Sequence, residues 1–102
     1  MKILITGSAG FIGFNLSKYL LQNSNYHIIG IDNLNDYYDV NLKKKRIKNL
    51  RSFKRFKFQK ADITNQFTMN KIFKKNKFDF VFNLAAQAGV RYSIDHPRKY
   101  ID

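Results

Sequence analysis

A chain of 102 residues has the length of one domain, and its 44% hydrophobic residues supply enough apolar material for a packed core. Cysteine is absent, which excludes disulfides and thiolate metal sites, and His27 and His96 alone are too few to suggest a structural zinc site. Nineteen Lys and Arg against seven acidic residues give a formal charge of +12, which raises the hypothesis of a nucleic-acid binder.

Two predicted strands bracket the first predicted helix. An apolar run at residues 2–6 predicts a buried strand, and residues 26–32 repeat the signal. Between them, residues 11–22 carry apolar side chains at helical spacing. The inner face of this helix is assigned to Ile12, Leu16, Tyr19 and Leu20.

The second predicted helix lies in the most basic part of the chain. It begins near Asp39 or Asn41, either of which could cap it, and its inner face is assigned to Val40, Ile47 and Leu50. The cations of residues 43–55 are interpreted as the solvated face of this helix and of the turn after it. Because every acidic residue is Asp and no recognition motif accompanies the charge, a compositional bias is favoured over a nucleic-acid surface.

The remaining elements continue the alternation. A third strand is predicted at residues 56–59 and a fourth at residues 80–84. Thr64 or Asn65 can cap the helix between them, and its inner face is assigned to Met69, Ile72 and Phe73. A fourth helix is expected to begin after Pro97.

This alternation predicts an α/β fold. Strands separated by helices run parallel and are covered on both faces, so the chain is predicted to form half of a Rossmann-like doubly wound sheet with strand order 3-2-1-4. No apolar run approaches the about 20 residues that span a membrane, and the first run is too short for a secretory signal. A cytoplasmic location is expected.

A glycine triplet marks the junction of the first strand and the first helix. Gly7, Gly10 and Gly13 have the spacing G-x-x-G-x-x-G, where one glycine permits the tight turn, the second a close approach of a pyrophosphate, and the third close packing of the helix. The amide groups and the dipole of the helix would face the phosphates. A plain glycine-rich turn is the alternative.

Asp32 ends the second predicted strand, 19 residues after Gly13. A carboxylate there can accept hydrogen bonds from the adenosine ribose and repels a 2′-phosphate, so NAD is predicted in preference to NADP. Lys43 to Arg46 could reach a phosphate if the following loop folds back. The alternative for Asp32 is a turn residue beside Asn33.

Three stretches resemble the extended short-chain dehydrogenase/reductase family, and within it the nucleotide-sugar epimerases that act on UDP-glucuronate. These stretches are residues 5–13, 30–40 and 84–93. The glycine motif is similar to the broad family, whereas Asp32-Asn-Leu-Asn-Asp-Tyr-Tyr and Ala85-Ala-Gln-Ala-Gly-Val-Arg-Tyr-Ser resemble the uronate epimerases more narrowly. The resemblance runs the length of the chain. The whole chain is similar to the first third or so of such an epimerase.

The resemblance implies a role for particular positions. Phe11 and Ile12 would lie along the pyrophosphate, Asp32 and Asn33 would hold the ribose, and Asp62 with Ile63 would meet the adenine. The cofactor would also be lined by Leu84, Ala85 and Ala86. Gln87 and Arg91 would border the sugar nucleotide, where Arg91 could contact the uronate or the diphosphate, or could be a solvent-facing loop residue.

The family chemistry is transient hydride transfer between C4 of the sugar and NAD, with a Tyr-x-x-x-Lys pair supplying the acid and base. No Tyr of this sequence has Lys four residues later, so no catalytic residue is assigned and the chain alone is expected to be inactive. It is interpreted as a truncated form, a broken reading frame or a fragment that partners with another chain. The usual homodimer of the family depends on later helices.

Three hypotheses follow. The chain is the NAD-binding portion of an epimerase, although dehydratases and decarboxylases share this half; or it is a non-catalytic dinucleotide-binding module; or, on net charge alone, it is a nucleic-acid binder. A Tyr-x-x-x-Lys encoded after Asp102 would favour the first. No metal site is predicted.

Overall fold

The computed structural model describes residues 1–34 and 40–85, together with the backbone of residues 99–101. The strands are β1 (Lys2–Thr6), β2 (His27–Asp32), β3 (Phe56–Lys60), β4 (Phe80–Asn83) and β5 (Lys99–Ile101). The helices are α1 (Phe11–Asn23), α2 (Val40–Leu50) and α3 (Gln66–Lys75). The first four strands and the first helix lie within one or two residues of their predicted bounds, and the second and third helices begin where their predicted caps place them.

All strands pair in parallel, in the order β3-β2-β1-β4-β5. The predicted order 3-2-1-4 and the Rossmann-like class are confirmed. The chain crosses from β1 to β2 on one side and reaches β4 on the other, so β1 and β4 flank a topological switch point. In open α/β sheets, ligands bind outside the carboxyl ends of the strands at such a point.

Apolar side chains alternate along β1 and divide the core into two layers. Ile3 and Ile5 belong to the cluster that α1 and α2 cover, whereas Leu4 belongs to the cluster under α3. Burial on both faces is what parallel strands with crossover helices require. The helices therefore pack on both faces of the sheet.

Two predicted helix faces need correction. In α1 the buried residues are Gly13, Ser17 and Leu21, while Ile12 and Tyr19 are 67% and 62% exposed. The small residues lie against the sheet because Gly13 approaches the β1 loop too closely for a larger side chain. In α2 the buried face includes Lys43 instead of Val40, which is half-buried.

The C-terminal residues also differ from the prediction. Residues 99–101 form β5, not the start of a helix, and pair in parallel with Phe80–Phe82. β4 is therefore not an edge of the sheet. Pairing supplies hydrogen-bond partners to backbone groups that an edge strand would leave open, and this outweighs the helix signal of Pro97.

The capping of α3 agrees with the sequence. Of the two candidate caps, Asn65 is the one that caps the helix, because its side-chain oxygen accepts a hydrogen bond from the Thr68 N–H at 3.1 Å. Met69 and Ile72 are buried and Phe73 packs at the edge of their cluster. The inner face of this helix is confirmed.

Candidate functional site

The loop after β1 turns sharply at Gly7, whose φ is +71°, and leads into α1. A Cβ at Gly7 would lie 2.8 Å from the carbonyl carbon of Leu84 and 2.9 Å from the Ala85 nitrogen. Only glycine combines this conformation with so close an approach of backbone to backbone. The triplet thus lies at a strand-to-helix corner, as predicted, and its Gly7 lies against the residues that follow β4.

The other two glycines differ in what surrounds them. A Cβ at Gly13 would overlap the carbonyl group of Gly7, so Gly13 allows α1 to pack on the loop. A Cβ at Gly10 would meet only the Gly7 carbonyl oxygen, at 3.3 Å, and Gly10 caps the helix without a side-chain hydrogen bond. The predicted approach of a pyrophosphate to Gly10 stays a prediction.

The amides of the loop itself hold the loop together. The N–H groups of Gly7 and Ser8 donate to the Ile31 carbonyl at 2.8 and 3.2 Å, and that of Gly10 donates to the Gly7 carbonyl at 3.0 Å. The first intrahelical bond of α1 runs from the Phe14 N–H to the Gly10 carbonyl. Donors for an anion are therefore those of the first helical turn, Phe11, Ile12 and Gly13, which lack an acceptor within an α-helix.

Asp32 contacts this loop directly. Its Oδ2 accepts a hydrogen bond from the Ala9 N–H at 3.1 Å and its Oδ1 one from the Leu34 N–H at 2.8 Å. Although 7% exposed, the carboxylate has two oxygens with about four lone-pair sites, so these bonds do not exhaust it as an acceptor. The structure brings Asp32 and the glycine loop together; Asn33, next to it, is half-buried.

Asp62 and Ile63 follow β3, beside the end of β2, where the Ala61 N–H donates to the Asp32 carbonyl at 3.1 Å. The Thr64 hydroxyl and N–H donate to Asp62 Oδ1 at 2.6 and 2.8 Å and lower the pKa of this exposed carboxyl below its ordinary value. Ile63 is buried in the core under α3. The predicted contact of both with adenine stays a prediction.

The end of β4 is tied to the end of β1. The Thr6 hydroxyl donates to Asn83 Oδ1 at 2.5 Å and accepts from the Ala85 N–H at 3.3 Å, and the Leu84 N–H donates to the Thr6 carbonyl at 3.2 Å. Leu84 and Ala85 are half-buried beside Gly7. The predicted site residues Ala86, Gln87 and Arg91 lie outside the described residues.

Sequence reasoning considered Lys43 to Arg46 only as cations that could reach a phosphate, and it missed the contacts that two of them make at this corner. Lys43 Nζ lies 3.8 Å from Asp32 Oδ1, and Arg46 Nη1 donates to the Ala9 carbonyl at 3.0 Å. The interpretation of residues 43–55 as a solvated face is wrong for Lys43, which is buried, and for the half-buried Arg46 and Arg55. Their i, i+3 spacing on one helix face was the available signal for Lys43 and Arg46.

Within residues 1–34 and 40–85, no three His, Cys, Asp or Glu side chains are grouped to hold a metal ion. In the part of the chain that the structure describes, no helix is long and apolar enough to cross a membrane.

The sequence profile of the family described as GDP-mannose 4,6 dehydratase matches residues 4–102. The chain belongs to this GDP-mannose 4,6-dehydratase family. The match confirms the resemblance to extended short-chain dehydrogenases/reductases drawn from the three sequence stretches.

Individual relatives are similar to this family member over nearly all of its residues. The protein CapI of Staphylococcus aureus is 51% identical over 102 residues, which are 100% of this chain and 30% of that protein. The UDP-glucuronate 4-epimerase of Thermodesulfobacterium geofontis is 44% identical over 99 residues, covering 97% of this chain and 30% of the epimerase. The chain thus spans about 30% of the length of these relatives.

Solved structures share the fold of this family member. The UDP-glucuronic acid 4-epimerase of Bacillus cereus, in complex with UDP-glucuronic acid and NAD, is 44% identical with a TM-score of 0.75, over 89% of this chain and 28% of that one. The dTDP-glucose 4,6-dehydratase of Bacillus anthracis, in complex with NAD, is 32% identical with a TM-score of 0.72, over 86% and 27%.

Proposed function

We propose that this chain is the NAD-binding portion of a nucleotide-sugar epimerase that inverts C4 of UDP-glucuronate. The observation that carries the proposal is the hydrogen bond from the Ala9 N–H to the Asp32 carboxylate. At the switch point of the sheet, it joins the glycine loop, which would bind the pyrophosphate, to the carboxylate that would bind the ribose. Relatives named UDP-glucuronate 4-epimerase and a structure with UDP-glucuronic acid and NAD support the substrate and the cofactor.

Each part of the site then has a task. The N–H groups of Phe11 and Ile12 would bind the pyrophosphate, and the positive end of α1 would stabilise its charge. Asp32 and Asn33 would hold the ribose, and Asp62 would accept a hydrogen bond from the adenine amino group.

Leu84 and Ala85, at the end of β4, would border the cofactor together with Ala86. Gln87 and Arg91 are proposed to border the sugar nucleotide.

NAD, when bound, supplies a reversible hydride acceptor. The residues of this chain contribute binding and orientation, because the 102 residues contain no Tyr with Lys four residues later. We therefore expect the chain by itself to bind NAD without epimerising UDP-glucuronate. Turnover by the purified 102-residue chain, free of a longer contaminant, would contradict this expectation.

Titration calorimetry of the chain with NAD and with NADP tests the proposal. We expect saturable binding of NAD, weaker binding of NADP by about tenfold or more, and a rise in the melting temperature with NAD, since a ligand that binds only the folded state stabilises it. A folded chain that shows neither heat nor a thermal shift with NAD would sink the proposal.

A second candidate is a dinucleotide-binding module without catalysis, favoured by the missing Tyr-x-x-x-Lys. The two candidates differ in whether catalytic residues, from a second chain or from sequence encoded after Asp102, complete the site. Pull-down of a second chain that restores epimerisation, or a Tyr-x-x-x-Lys encoded after Asp102, would favour the epimerase. NAD binding that no added chain converts into turnover would favour the module.

A further inference from the structure

The exposed cations of this chain are concentrated in one stretch, residues 44–60. The seven that lie there, called the basic face below, are Lys44, Lys45, Lys48, Arg51, Lys54, Lys57 and Lys60. No acidic residue occurs between Asp39 and Asp62. By contrast, the exposed positions of α1 carry Asn, Gln, aromatic and aliphatic side chains but no cation. A compositional bias alone predicts cations on every exposed helix face, so the basic face needs a second explanation.

The fold joins the helical part of the basic face to β3. Lys44, Lys48 and Arg51 follow each other at intervals of four and three residues, so they form one row along α2 and its C-terminal end. The Arg51 guanidinium lies 5.5 Å from the centre of the Phe58 ring, which belongs to β3. The row on α2 therefore continues onto the strand as one surface.

β3 is the outermost strand of the described sheet and offers backbone donors at its edge. Just before and just after it, the Arg55 carbonyl and the Ala61 N–H both bond to β2. Because alternate residues of a parallel strand bond to the same neighbour, the N–H groups of Phe58 and Lys60 point away from β2. Lys57 and Lys60 are exposed beside these donors and oppose pairing with a further strand, so the edge favours an anion over an extended peptide.

The basic face has no carboxylate partner within residues 1–34 and 40–85. The ion pair in this part of the chain joins Lys43 to Asp32, and neither residue belongs to the basic face. The two other described carboxylates have partners elsewhere, since Asp62 accepts from Thr64 and Asp79 accepts from the Lys2 N–H. The charge of the basic face is therefore available to an external anion.

The side chains between these cations decide which anion fits. No large hydrophobic residue is exposed within residues 44–60, so this surface has nothing to insert into a bilayer. Its aromatic residues Phe53, Phe56 and Phe58 are half-buried or buried, which leaves no exposed ring on which a base could stack. Cations and backbone N–H groups contact phosphates without reading bases, and a duplex presents one phosphate charge per about 1.7 Å. Duplex nucleic acid is thus favoured over a membrane and over a stacked single strand.

We propose that the basic face binds the phosphate backbone of duplex nucleic acid without sequence preference. This function is additional to the proposed dinucleotide binding and does not rest on it, because the basic face lies on α2 and β3, whereas the glycine loop joins β1 to α1. The salt dependence of binding counts the phosphates that the protein contacts. It should therefore depend on the cations of the basic face more than on the net charge.

Fluorescence anisotropy with a short labelled DNA duplex tests the proposal on the 102-residue chain, between about 0.05 and 0.2 M sodium chloride. We expect the logarithm of the association constant to fall linearly with the logarithm of salt concentration, with a slope of about −3 to −5, which corresponds to about four or five phosphate contacts. Duplexes of different sequence should bind equally. A folded chain that does not bind the duplex at the lowest salt concentration would overturn the proposal.

The first variant removes three cations of the basic face together, by Lys48→Gln, Lys57→Gln and Lys60→Gln. All three side chains are exposed, and the Arg51 contact with Phe58 is kept. The slope should become shallower by about 2 to 3, because each lost phosphate contact contributes about 0.9. Melting curves verify folding, and if the triple variant is unfolded, each single substitution should make the slope shallower by about 0.9.

A matched control removes three exposed cations of α3, by Lys71→Gln, Lys74→Gln and Lys75→Gln. The net charge changes by the same amount, but α3 covers the opposite face of the sheet from α2. The slope should change by less than about 1. Equal changes in the two triple variants would show that net charge alone drives binding, which would overturn the assignment to the basic face.

Two further measurements exclude other sites and other partners. Saturating NAD should leave the duplex affinity unchanged, and competition would place the duplex at the glycine loop and overturn the proposal. Vesicles of phosphatidylcholine and phosphatidylglycerol should bind the chain more weakly than the duplex does, and tighter binding would assign the basic face to a membrane instead. A chain that binds the duplex as expected but not NAD would refute the proposed function and leave this inference standing.

Discussion

Gly10 and Gly13 are glycines for different reasons, which is visible only in what surrounds their missing side chains. A Cβ at Gly13 would overlap the Gly7 carbonyl group, whereas a Cβ at Gly10 would meet only the Gly7 carbonyl oxygen, at 3.3 Å. Gly13 therefore serves the fold, and we propose that Gly10 serves the cofactor site. Substitution of each glycine by alanine distinguishes the two roles.

We expect Gly13→Ala to lower the free energy of unfolding by about 1 to 3 kcal/mol, because the added methyl group forces α1 away from the loop. Gly10→Ala should cost less, about 1 kcal/mol, since φ is −74° there and the added Cβ meets one carbonyl oxygen, at 3.3 Å, besides the loss of an N-cap preference. Its NAD affinity should nevertheless fall by about tenfold. Urea unfolding and calorimetry measure the two effects, and equal stability losses in both variants would contradict this division.

A second effect at single-residue scale concerns Asp62. Hydrogen bonds from the Thr64 hydroxyl and then the Thr64 N–H lower the pKa of this carboxyl. Because the folded-state pKa is lowered, its contribution to stability is present above the unfolded-state pKa and is lost as the pH falls through the folded-state value. The carboxyl is exposed, so the contribution is small.

Thr64→Val should raise the pKa of Asp62 toward its ordinary value without reaching it, because the backbone N–H still donates. Thr64→Ser keeps the hydroxyl and should leave the lowered pKa in place. Carboxyl carbon chemical shifts followed by NMR across the acid range measure both. An unchanged pKa in the Val variant would show that the hydroxyl is not the main cause.

Among the elements, Arg55 joins the end of α1 to the starts of β2 and β3. Its guanidinium donates to the Leu21 carbonyl at 2.5 Å and to the Tyr26 carbonyl at 2.8 Å. The Leu21 carbonyl belongs to the last turn of α1, where intrahelical donors run out. Arg55 thus completes a helix end that carries no basic residue in its own last turn.

Arg55→Met should lower the free energy of unfolding by about 1 to 3 kcal/mol, because two carbonyl groups lose their charged donor while the apolar stem is kept. Lys54→Met, at the adjacent exposed position, should change it by less than about 0.5 kcal/mol. Chemical unfolding of both variants at neutral pH provides the comparison. An equal loss of unfolding free energy in Lys54→Met and Arg55→Met would show that the change in net charge, and not the two hydrogen bonds, causes the effect.

At the scale of the whole molecule, a formal charge of +12 on 102 residues makes the folded chain repel itself. Most lysines are exposed, and the ion pair between Lys43 and Asp32 is buried and therefore little affected by screening. Added salt should stabilise the protein in the absence of any ligand.

We expect the melting temperature to rise as sodium chloride is increased from about 0.01 to 0.1 M, over which the Debye length falls from about 30 to 10 Å. Chloride is preferred to sulfate, because sulfate also strengthens apolar burial and could bind at α1. A melting temperature that falls with salt would mean that attractive pairs outweigh the repulsion.

The predictable part of the fold depends on local patterns. The alternation of apolar runs with helical spacing determined four strands, three helices and their order, because parallel strands joined by helices have few allowed arrangements. The inner face of α1 was predicted correctly at Leu16 and Leu20, which pack against the core, and wrongly at Ile12 and Tyr19. The latter two fit the helical period as well as Ser17 and Leu21 do. Close contact with the loop at Gly13 decided between them.

By itself, the sequence determined the class of fold, the corner at Gly7 to Gly13 and the carboxylate at Asp32, because each depends on residues close together in the chain or on strand ends that a parallel sheet must align. Only the tertiary structure decided that Lys43 is buried against Asp32, that Arg46 holds the Ala9 carbonyl and that residues 99–101 pair with β4. These contacts join residues up to 37 positions apart, where a cation looks the same in sequence whether it meets water or a buried partner.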